Sequence, residues 1–389
     1  MEIVVAGTGM VRLPPIQGGA VEAYVLDVLE TARNTPGFES VLVSDVNGSI
    51  NYDGCTVVPV GSPIDKFPLR PTVSPMAHLI GGRLVGKGLV RYLNEAPHRS
   101  DRVVHLNKEV SAAYFVHFRR TREPTVFSYH NPAPDLSTGQ MAYAERAVRW
   151  TGSRLVSRFI SRHVDRVLVA SSPLKEYLVE QAGIPAERIT RLPLPVDTDR
   201  FRPRPSGVAA DNRERKILFV GRLDARKGVL RLVKAMSGVD ADVRLTVVGR
   251  GPLRNELLRS IEENGLSARV TLRAGLTGNE LLQEYLSSTA FVFPSSLETF
   301  GRVVAEAASC GLPVVLPDIP LYSDFHSGGF TIPFRLEEPK DLVDAVERVV
   351  SDPALRDRLG AKARTYAVEN CSYPVFSSKL VDVYRGLAG

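Results

Sequence analysis

The 389-residue chain contains little that would crosslink it or anchor it in a membrane. Its three cysteines, Cys55, Cys310 and Cys371, are far apart and form no C-x-x-C pair. This odd number of scattered thiols argues against a disulfide framework or a zinc site and is typical of buried thiols in a reducing compartment. No apolar run approaches the ~18 residues that a transmembrane helix needs.

The start of the chain and its net charge narrow the class of protein further. Residues 1–6 already have the pattern of a strand, with no charged and then apolar leader before them, so we expect no signal peptide and a cytoplasmic location. A net charge of +6 suits anionic substrates or an acidic membrane surface, but it is too small to indicate nucleic acid binding. The length predicts two domains of about 150–200 residues each.

Glycines follow the opening strand, which raises the question of a dinucleotide-binding site. Gly7-Thr8-Gly9 begins a G-x-G-x-x-G pattern, but Arg12 occupies the third glycine position. Pro14-Pro15 also prevents a helix from starting directly after the strand, so a dehydrogenase is disfavoured. The loop ends in Gly18-Gly19 before a predicted helix, where free backbone N–H groups suit a phosphate; a flexible turn is the alternative.

Strand patterns and helix patterns alternate along the first half of the chain. Alternation of this kind predicts a doubly wound parallel sheet. The predicted strands cover residues 40–44, 56–60, 102–106, 125–129 and 166–170, and the predicted helices cover 76–93, 110–118 and 141–163. His130 directly follows one of these strands, at the carboxyl end where ligands of such sheets bind. A structural role is the alternative for His130, as it is for His105.

An arginine stripe runs along the predicted helix over residues 141–163 and just beyond it. Arginines recur at every fourth position, at 154, 158, 162 and 166. A basic helix over 146–166 would contact anionic lipid at the inner membrane face or a phosphorylated acceptor. The alternative is a solvated basic face on a helix that packs on the core, and the scarcity of aromatic residues beyond Trp150 favours it.

Proline and charge become dense over residues 197–214, which indicates an interdomain linker. We therefore expect one domain over 1–196, a second over 215–372 and a last helix over 373–389. The second domain opens with a strand, followed by Arg222 and Lys227 and by a helix that begins near Gly228. These two cations predict an anion clamp, because Arg can bond two phosphate oxygens and Lys acts as a point charge; ordinary loop charge is the alternative.

Residues 291–316 have the pattern strand, loop, helix, strand. Glu298 lies in the loop before the helix, which begins near Phe300, and Glu306 lies inside the helix among small apolar residues. A buried carboxylate there needs partners, and a helix N-terminus can hold an anion. The two carboxylates could bind hydroxyls beside a charged group, as a sugar nucleotide would require. The alternative is that Glu306 caps a surface turn and Glu298 is a solvated loop acid.

These segments together resemble one known family. E-x-F-G at 298–301, a second Glu eight positions after the first and G-x-P-V-V at 311–315 resemble the donor-site motif of family 4 retaining glycosyltransferases, also called glycosyl transferases group 1. Three further motifs of that family have counterparts in G-G-A-V-E at 18–22, P-V-D-x-x-x-F-x-P at 195–203 and G-R-L-x-x-x-K-G at 221–228.

The resemblance implies the GT-B fold, an α/β protein with two Rossmann-like doubly wound parallel-sheet domains facing across a cleft. The N-terminal domain would bind the acceptor and the C-terminal domain the nucleotide sugar. The last helix would cross back to the first domain.

The resemblance also implies a role for each candidate site residue. Glu298 would contact the transferred sugar, Glu306 the ribose, and His130 the donor sugar and the reacting centre. Arg222 and Lys227 would hold the leaving diphosphate in place of a metal ion, and no Asp-x-Asp motif lies around this site. The remaining implied contacts are Gly18 and Gly19 at the phosphates or the acceptor, Arg250 and Leu276 along the nucleotide, and the backbone N–H groups of Thr299, Phe300 and Gly301.

We therefore expect a metal-independent, retaining transfer of a sugar from a UDP- or GDP-sugar to a hydroxyl of an acceptor, without a cofactor. The acceptor class stays open among secondary metabolites, lipids and glycans. A sugar-nucleotide epimerase or a glycan phosphorylase on the same fold would instead need no separate acceptor. A non-catalytic two-lobed binding protein would tolerate the loss of His130 and Arg222.

Overall fold

The fold is described from a computed structural model of the chain. The structure describes residues 1–8, 20–44, 54–60, 75–131, 158–160, 162–203 and 215–388. Contacts group these residues into two compact units. The first comprises the described residues up to Leu192 together with the C-terminal segment from Phe376, and the second comprises those from Pro193 to Val375.

The described residues of the first unit form a sheet of seven short strands. These are β1 (Glu2–Ala6), β2 (Glu39–Ser44), β3 (Cys55–Pro59), β4 (Arg102–Leu106), β5 (Thr125–Tyr129), β6 (Arg166–Val169) and β7 (Ile189–Arg191). All neighbours pair in parallel, in the order β3-β2-β1-β4-β5-β6-β7. Because β1, β4 and β5 are buried along their whole length, the sheet has the pattern of one covered on both faces.

Helices connect these strands. They are α1 (Ala20–Arg33), α2 (Pro75–Glu95), α3 (Glu109–Phe118) and α4 (Ser172–Ala182). In α1 the buried apolar residues, among them Tyr24, Val25, Val28 and Leu29, recur three or four positions apart, so one stripe of the helix packs on the core.

The described residues of the second unit repeat the same construction with six strands. These are β8 (Lys216–Val220), β9 (Arg244–Val248), β10 (Val270–Arg273), β11 (Ala290–Val292), β12 (Val314–Pro317) and β13 (Thr331–Phe334). They pair in parallel in the order β10-β9-β8-β11-β12-β13. The strand order reverses at β8, as it does at β1 in the first unit, which is the topology of a doubly wound sheet.

Among the described residues, seven helices accompany the second sheet, and one more closes the chain. The seven are α5 (Val229–Ala235), α6 (Arg254–Glu263), α7 (Gly278–Ser287), α8 (Arg302–Ser309), α9 (Ser323–Ser327), α10 (Pro339–Ser351) and α11 (Pro353–Cys371). The last helix, α12 (Tyr373–Ala388), belongs to the first unit from Phe376 onward and buries Leu380 and Tyr384 in its core.

Two edge strands were not predicted from the sequence. β7 has three residues with one fully buried, and β13 contains Pro333, which cannot donate to a ladder and is tolerated at an edge. The predicted loop that ends in Gly18-Gly19 and most of the predicted helix over 141–163, including the arginine at 154, lie outside the described residues.

In each unit the carboxyl ends of the strands carry polar loops, and the candidate residues of that unit lie in these loops. In the described part of the chain no helix is both long enough and apolar enough to cross a membrane.

Candidate functional site

The loop after β8 carries the two predicted cations. A short 3₁₀-helix, Ala225–Lys227, follows Asp224, whose carboxylate accepts a hydrogen bond from the Arg226 backbone N–H at 3.1 Å. Arg222 Nε lies 3.5 Å from Asp224 Oδ2, and its side chain is 53% exposed. Lys227 is only 20% exposed, so the two cations differ in how firmly the loop holds them.

This loop is pressed against the loop that follows β11. Gly228 has φ of +66°, and a Cβ placed on it would clash with the Pro294 carbonyl group. Ser296 N–H donates to the Arg226 carbonyl at 2.9 Å. The second glycine of the G-R-L-x-x-x-K-G motif, Gly228, is therefore required both by the close approach of the two backbones and by its left-handed conformation.

We expect the Gly228→Ala substitution to destabilise the second unit by about 3 kcal/mol, because strain at positive φ and the clash with Pro294 add together. Gly265 is the matched control, since it has φ of +67° and no atom within 4 Å of the position that a Cβ would take. Gly265→Ala should cost only about 1 kcal/mol. Thermal unfolding of both variants measures the difference, and equal losses would contradict the close approach of the two loops.

Lys227 and Glu298 form an ion pair, although they are 71 residues apart in the chain. The Glu298 side chain is 14% exposed, so it is not a solvated loop acid. Lys227 Nζ also lies 5.8 Å from the centroid of the Phe293 ring, within cation–π range. Tyr322 supports the loop between them, because its fully buried hydroxyl donates to the Ser295 carbonyl at 3.0 Å.

Helix α8 begins beside Glu298. Gly301 is its N-cap residue, with φ of +94°, and no side chain caps the helix N-terminus within the described ranges. Phe300 is buried, and its ring lies 5.3 Å from the ring of Phe325, which anchors the start of the helix. Thr299 is partly exposed. The N–H groups of the first turn of α8 and its positive dipole end are thus next to the Lys227–Glu298 pair.

Glu306 lies in the second turn of α8 and is partly buried. Tyr285 Oη donates a hydrogen bond to its Oε2 at 2.8 Å. Burial raises the pKa of the Glu306 carboxyl, while the Tyr285 hydrogen bond and the charges of Arg302 and Arg200 oppose that rise. Glu306 is therefore not the cap of a surface turn, and Tyr285 is a residue of this site that no sequence motif selects.

The ring of Tyr285 is fully buried, with the Phe201 and Phe291 rings at centroid distances of 5.8 Å each. This packing fixes the direction of its hydroxyl. Only the tertiary contact with Glu306 reveals its part in the site, because in the sequence it is one aromatic residue on a core helix.

Arg250 and Leu276 follow the adjacent strands β9 and β10. The exposed Arg250 guanidinium lies across Gly275, since a Cβ on that glycine would clash with it. Leu276 is partly buried. The Arg250 carbonyl accepts from the Leu223 N–H at 2.9 Å, so these residues adjoin the loop that carries Arg222.

His130 belongs to the first unit, at the carboxyl end of β5. Its ring meets the Tyr24 ring edge-on, with 4.8 Å between centroids. Burial and, to a lesser extent, the charge of Lys108 lower the pKa of His130 to about 3, so the imidazole is neutral at physiological pH. The predicted phosphate contacts Gly18 and Gly19 lie outside the described residues.

His105 has a structural role. Its Nδ1 lies 2.6 Å from Tyr384 Oη of the last helix, and its Nε2 lies 2.7 Å from Ser128 Oγ. Ser128 is in turn 2.8 Å from Tyr24 Oη. This buried network connects α12 to the sheet of the first unit and to the aromatic ring that packs on His130.

Sequence reasoning missed the polar residues that extend the first-unit edge around His130. Asn131 Nδ2 donates to Glu109 Oε1 at 2.6 Å, and Glu109 Oε2 lies 3.7 Å from Lys108 Nζ. Asn107 directly follows β4. Their position just after two strands was a usable sign, because ligands bind at the carboxyl ends of parallel strands.

The described arginines of the stripe differ in exposure and in secondary structure. Arg158 and Arg162 are exposed. Arg166 is partly buried, and its guanidinium donates to the Glu187 carbonyl. It is the first residue of β6 and therefore lies outside the helix.

Comparison with known families identifies the chain. A family model described as glycosyl transferases group 1 matches residues 204–366, and one described as glycosyltransferase family 4 matches residues 21–200. The GDP-mannose-dependent alpha-mannosyltransferase of Mycobacterium tuberculosis is 31% identical over 396 residues, covering 97% of this chain and 95% of the relative. The chain belongs to this glycosyltransferase family.

Other members of the family match over less of their length. The alpha-D-kanosaminyltransferase of Streptomyces kanamyceticus is 30% identical over 250 residues, which is 59% of this chain and 64% of the relative. The sulfoquinovosyl transferase SQD2 of Arabidopsis thaliana is 31% identical over 260 residues, and this chain spans about half its length, 48%.

Solved structures of GT-B proteins share the fold. The sucrose-phosphate synthase of Thermosynechococcus elongatus superposes with a TM-score of 0.82 at 21% identity, covering 99% of this chain and 98% of that one. Anabaena HepE in complex with UDP-glucose gives a TM-score of 0.73 at 17% identity over 99% of this chain and all of that one. The predicted GT-B fold with two Rossmann-like domains is confirmed.

Proposed function

We propose that this family member transfers a sugar, with retention, from a nucleoside diphosphate sugar to a hydroxyl of an acceptor. The observation that carries the proposal is the meeting of Lys227 and Glu298 beside the N-terminus of α8, with Glu306 held one turn further along. A cation, a helix dipole and two carboxylates in one place match the chemistry of a sugar nucleotide, which has an anionic and a hydroxylated part.

The cations support departure of the diphosphate. Lys227 and Arg222 would contact its oxygens, and the N–H groups at Thr299, Phe300 and Gly301 would stabilise the negative charge that grows as the bond to the anomeric carbon breaks. These groups supply the electrostatic stabilisation that other sugar transferases obtain from a divalent ion, so the proposed reaction is metal-independent. Glu306 would accept a hydrogen bond from the ribose, and Arg250 and Leu276 would line the nucleotide.

The transfer itself involves two bonds. The bond from the anomeric carbon to the diphosphate oxygen breaks with oxocarbenium character, and the acceptor oxygen bonds to the same carbon on the same face. The acceptor proton passes to the departing phosphate oxygen, which balances the step. Glu298 would orient the transferred sugar, and neutral His130 would order the reacting centre. Gly18 and Gly19 would contact the phosphates or the acceptor.

The proposed donor classes are those named for a relative and for a solved structure of the same fold. The mycobacterial relative is named for GDP-mannose and the HepE structure contains UDP-glucose, so we propose a UDP- or GDP-sugar donor. The acceptor is proposed to be a hydroxyl of a secondary metabolite, a lipid or a glycan. A lipid acceptor would be reached by peripheral contact of the basic segment before β6, which includes the exposed Arg158 and Arg162, with the inner membrane face.

Proton NMR of the purified protein with UDP-glucose or GDP-mannose tests the proposal. Slow hydrolysis without an acceptor, or transfer with one, should release the nucleoside diphosphate and first yield the α-anomer, as retention requires. An epimerase would return an intact sugar nucleotide with a changed sugar, and a binding protein would leave the donor unchanged. Either result would replace the proposed function.

The pH dependence of donor binding should reveal the partnership of Tyr285 and Glu306. A ribose hydroxyl donates to the carboxylate, so affinity is full above the Glu306 pKa, which burial raises, and falls as the pH drops through it. Tyr285→Phe removes a hydrogen bond that favours the anion, so we expect the loss to begin at a higher pH, with affinity about tenfold lower there.

Calorimetry with UDP and with 2′,3′-dideoxy-UDP measures this effect, or the GDP pair if the donor is a GDP-sugar. The dideoxy nucleotide should bind wild type and Tyr285→Phe equally at every pH. A uniform loss for both nucleotides would show that Tyr285 acts only on stability.

A further inference from the structure

Two buried polar atoms at the carboxyl edge of the first sheet have no hydrogen-bond partner among the described residues. They are Asn107 Oδ1 and His130 Nε2. Asn107 is 1% exposed and directly follows β4, and His130 directly follows the neighbouring strand β5. Because buried polar groups are nearly always hydrogen-bonded, two unpaired atoms on adjacent strand ends indicate a ligand.

The orientation of Asn107 is fixed by the end of β1. Its Nδ2 donates to the Ala6 carbonyl at 3.0 Å, so the side-chain oxygen is left as an acceptor. The sheet order runs β2-β1-β4, so the strand order reverses between β1 and β4. Asn107 therefore bridges the switch point of the sheet, which is where doubly wound proteins bind ligands.

The charged side chains at this edge, Lys108, Glu109 and Glu22, carry no net positive charge, which disfavours an anionic ligand and favours a neutral one. The positive charge of Lys108 acts on His130, but it is offset by a carboxylate, because Lys108 Nζ lies 3.7 Å from Glu109 Oε2. Glu22 adds a buried carboxylate that accepts from Thr8 Oγ1. His130 itself is uncharged, so a hydroxyl group suits the edge better than a phosphate does.

We propose that Asn107 is a further ligand-binding residue, whose Oδ1 accepts a hydrogen bond from a hydroxyl of a neutral sugar or polyol beside the contact already expected of His130. The site rests on the proposed function, because the ligand is one of its two substrates. The hydroxyls belong either to the transferred sugar of the donor or to the acceptor, and the chemistry of recognition is the same for both.

Asn107→Leu and Asn107→Asp separate binding from structure. Leucine removes both the acceptor oxygen and the bond to Ala6. Aspartate keeps an acceptor oxygen, but it loses the bond to Ala6 and adds a buried negative charge, so it should lower the unfolding temperature while retaining a ligand hydroxyl that donates to it. His130→Phe is a second probe of the same ligand and is used if Asn107→Leu fails to fold. Phenylalanine keeps an aromatic ring in edge-on contact with Tyr24.

Two measurements distinguish the sources of the hydroxyls. If they belong to the donor sugar, Asn107→Leu weakens the calorimetric affinity for UDP-glucose or GDP-mannose about tenfold and leaves that for UDP or GDP unchanged. If they belong to the acceptor, both affinities are unchanged. Saturation-transfer NMR with glucose, mannose, myo-inositol and glycerol then shows a signal in wild type and Asn107→Asp that Asn107→Leu and His130→Phe lose.

Unchanged donor affinity together with no polyol signal that depends on Asn107 would overturn the proposal. Failure of the proposed function is a different result, since it appears as no binding of any nucleoside diphosphate or sugar nucleotide to the wild-type protein.

Discussion

Glu298→Gln is expected to lower the transfer or donor-hydrolysis rate by about 10³-fold while the affinity for the nucleoside diphosphate does not fall. Glutamine keeps the shape of the side chain but removes the charge that we propose faces the transferred sugar at its positive anomeric centre, and loss of one such preorganised group costs about 10²–10³ in rate. Lys227 is released from its ion pair at the same time, so it is free to contact the diphosphate.

The affinity for UDP or GDP should therefore rise slightly in Glu298→Gln, by about twofold to fivefold, because the ion pair that competes with the ligand is gone. Initial rates and calorimetry on the same preparation measure both effects. A parallel loss of rate and nucleotide affinity would contradict the separate roles of the two residues, and an unchanged rate would exclude Glu298 from the reaction.

Lys227→Ala is expected to weaken nucleoside diphosphate binding by about 10²-fold, because it removes a charge-assisted contact to phosphate and leaves Glu298 as an unpaired anion facing the diphosphate. Arg226→Ala is the matched control. Arg226 is the adjacent residue, is exposed and pairs with Asp224 at 3.1 Å, so its loss removes the same charge from the loop without removing the proposed contact.

Calorimetric titration of UDP and GDP into both variants makes the comparison. We expect Arg226→Ala to bind within about threefold of wild type, since exposed charges contribute little. Equal losses in the two variants would mean that general positive charge, and not Lys227, attracts the nucleotide.

The fold could be predicted from the sequence because it depends on local patterns, and the same patterns selected the candidate residues of the second unit. Buried β-strands, glycines at strand ends and the E-x-F-G motif are all readable within a few residues. The two short edge strands were missed because three or four residues carry too little pattern, and Pro333 in β13 argued against a strand.

The polar partners of the site residues required the structure. Tyr285 is one core aromatic residue in the sequence, and only its 2.8 Å hydrogen bond to Glu306 gives it a role. The pairing of Lys227 with Glu298 is likewise a contact between distant loops. Asn107 has one sign in the sequence, because it is a polar residue directly after a predicted strand, as His130 is.

Calorimetry of UDP and GDP binding to the wild-type protein in the presence of a chelator tests the central claim most directly. We predict that one of the two nucleotides binds without metal, that magnesium does not strengthen the binding, and that Lys227→Ala removes most of it. Binding that appears only with magnesium, or no binding of either nucleotide, would contradict a donor site built from Lys227, Arg222 and the N-terminus of α8.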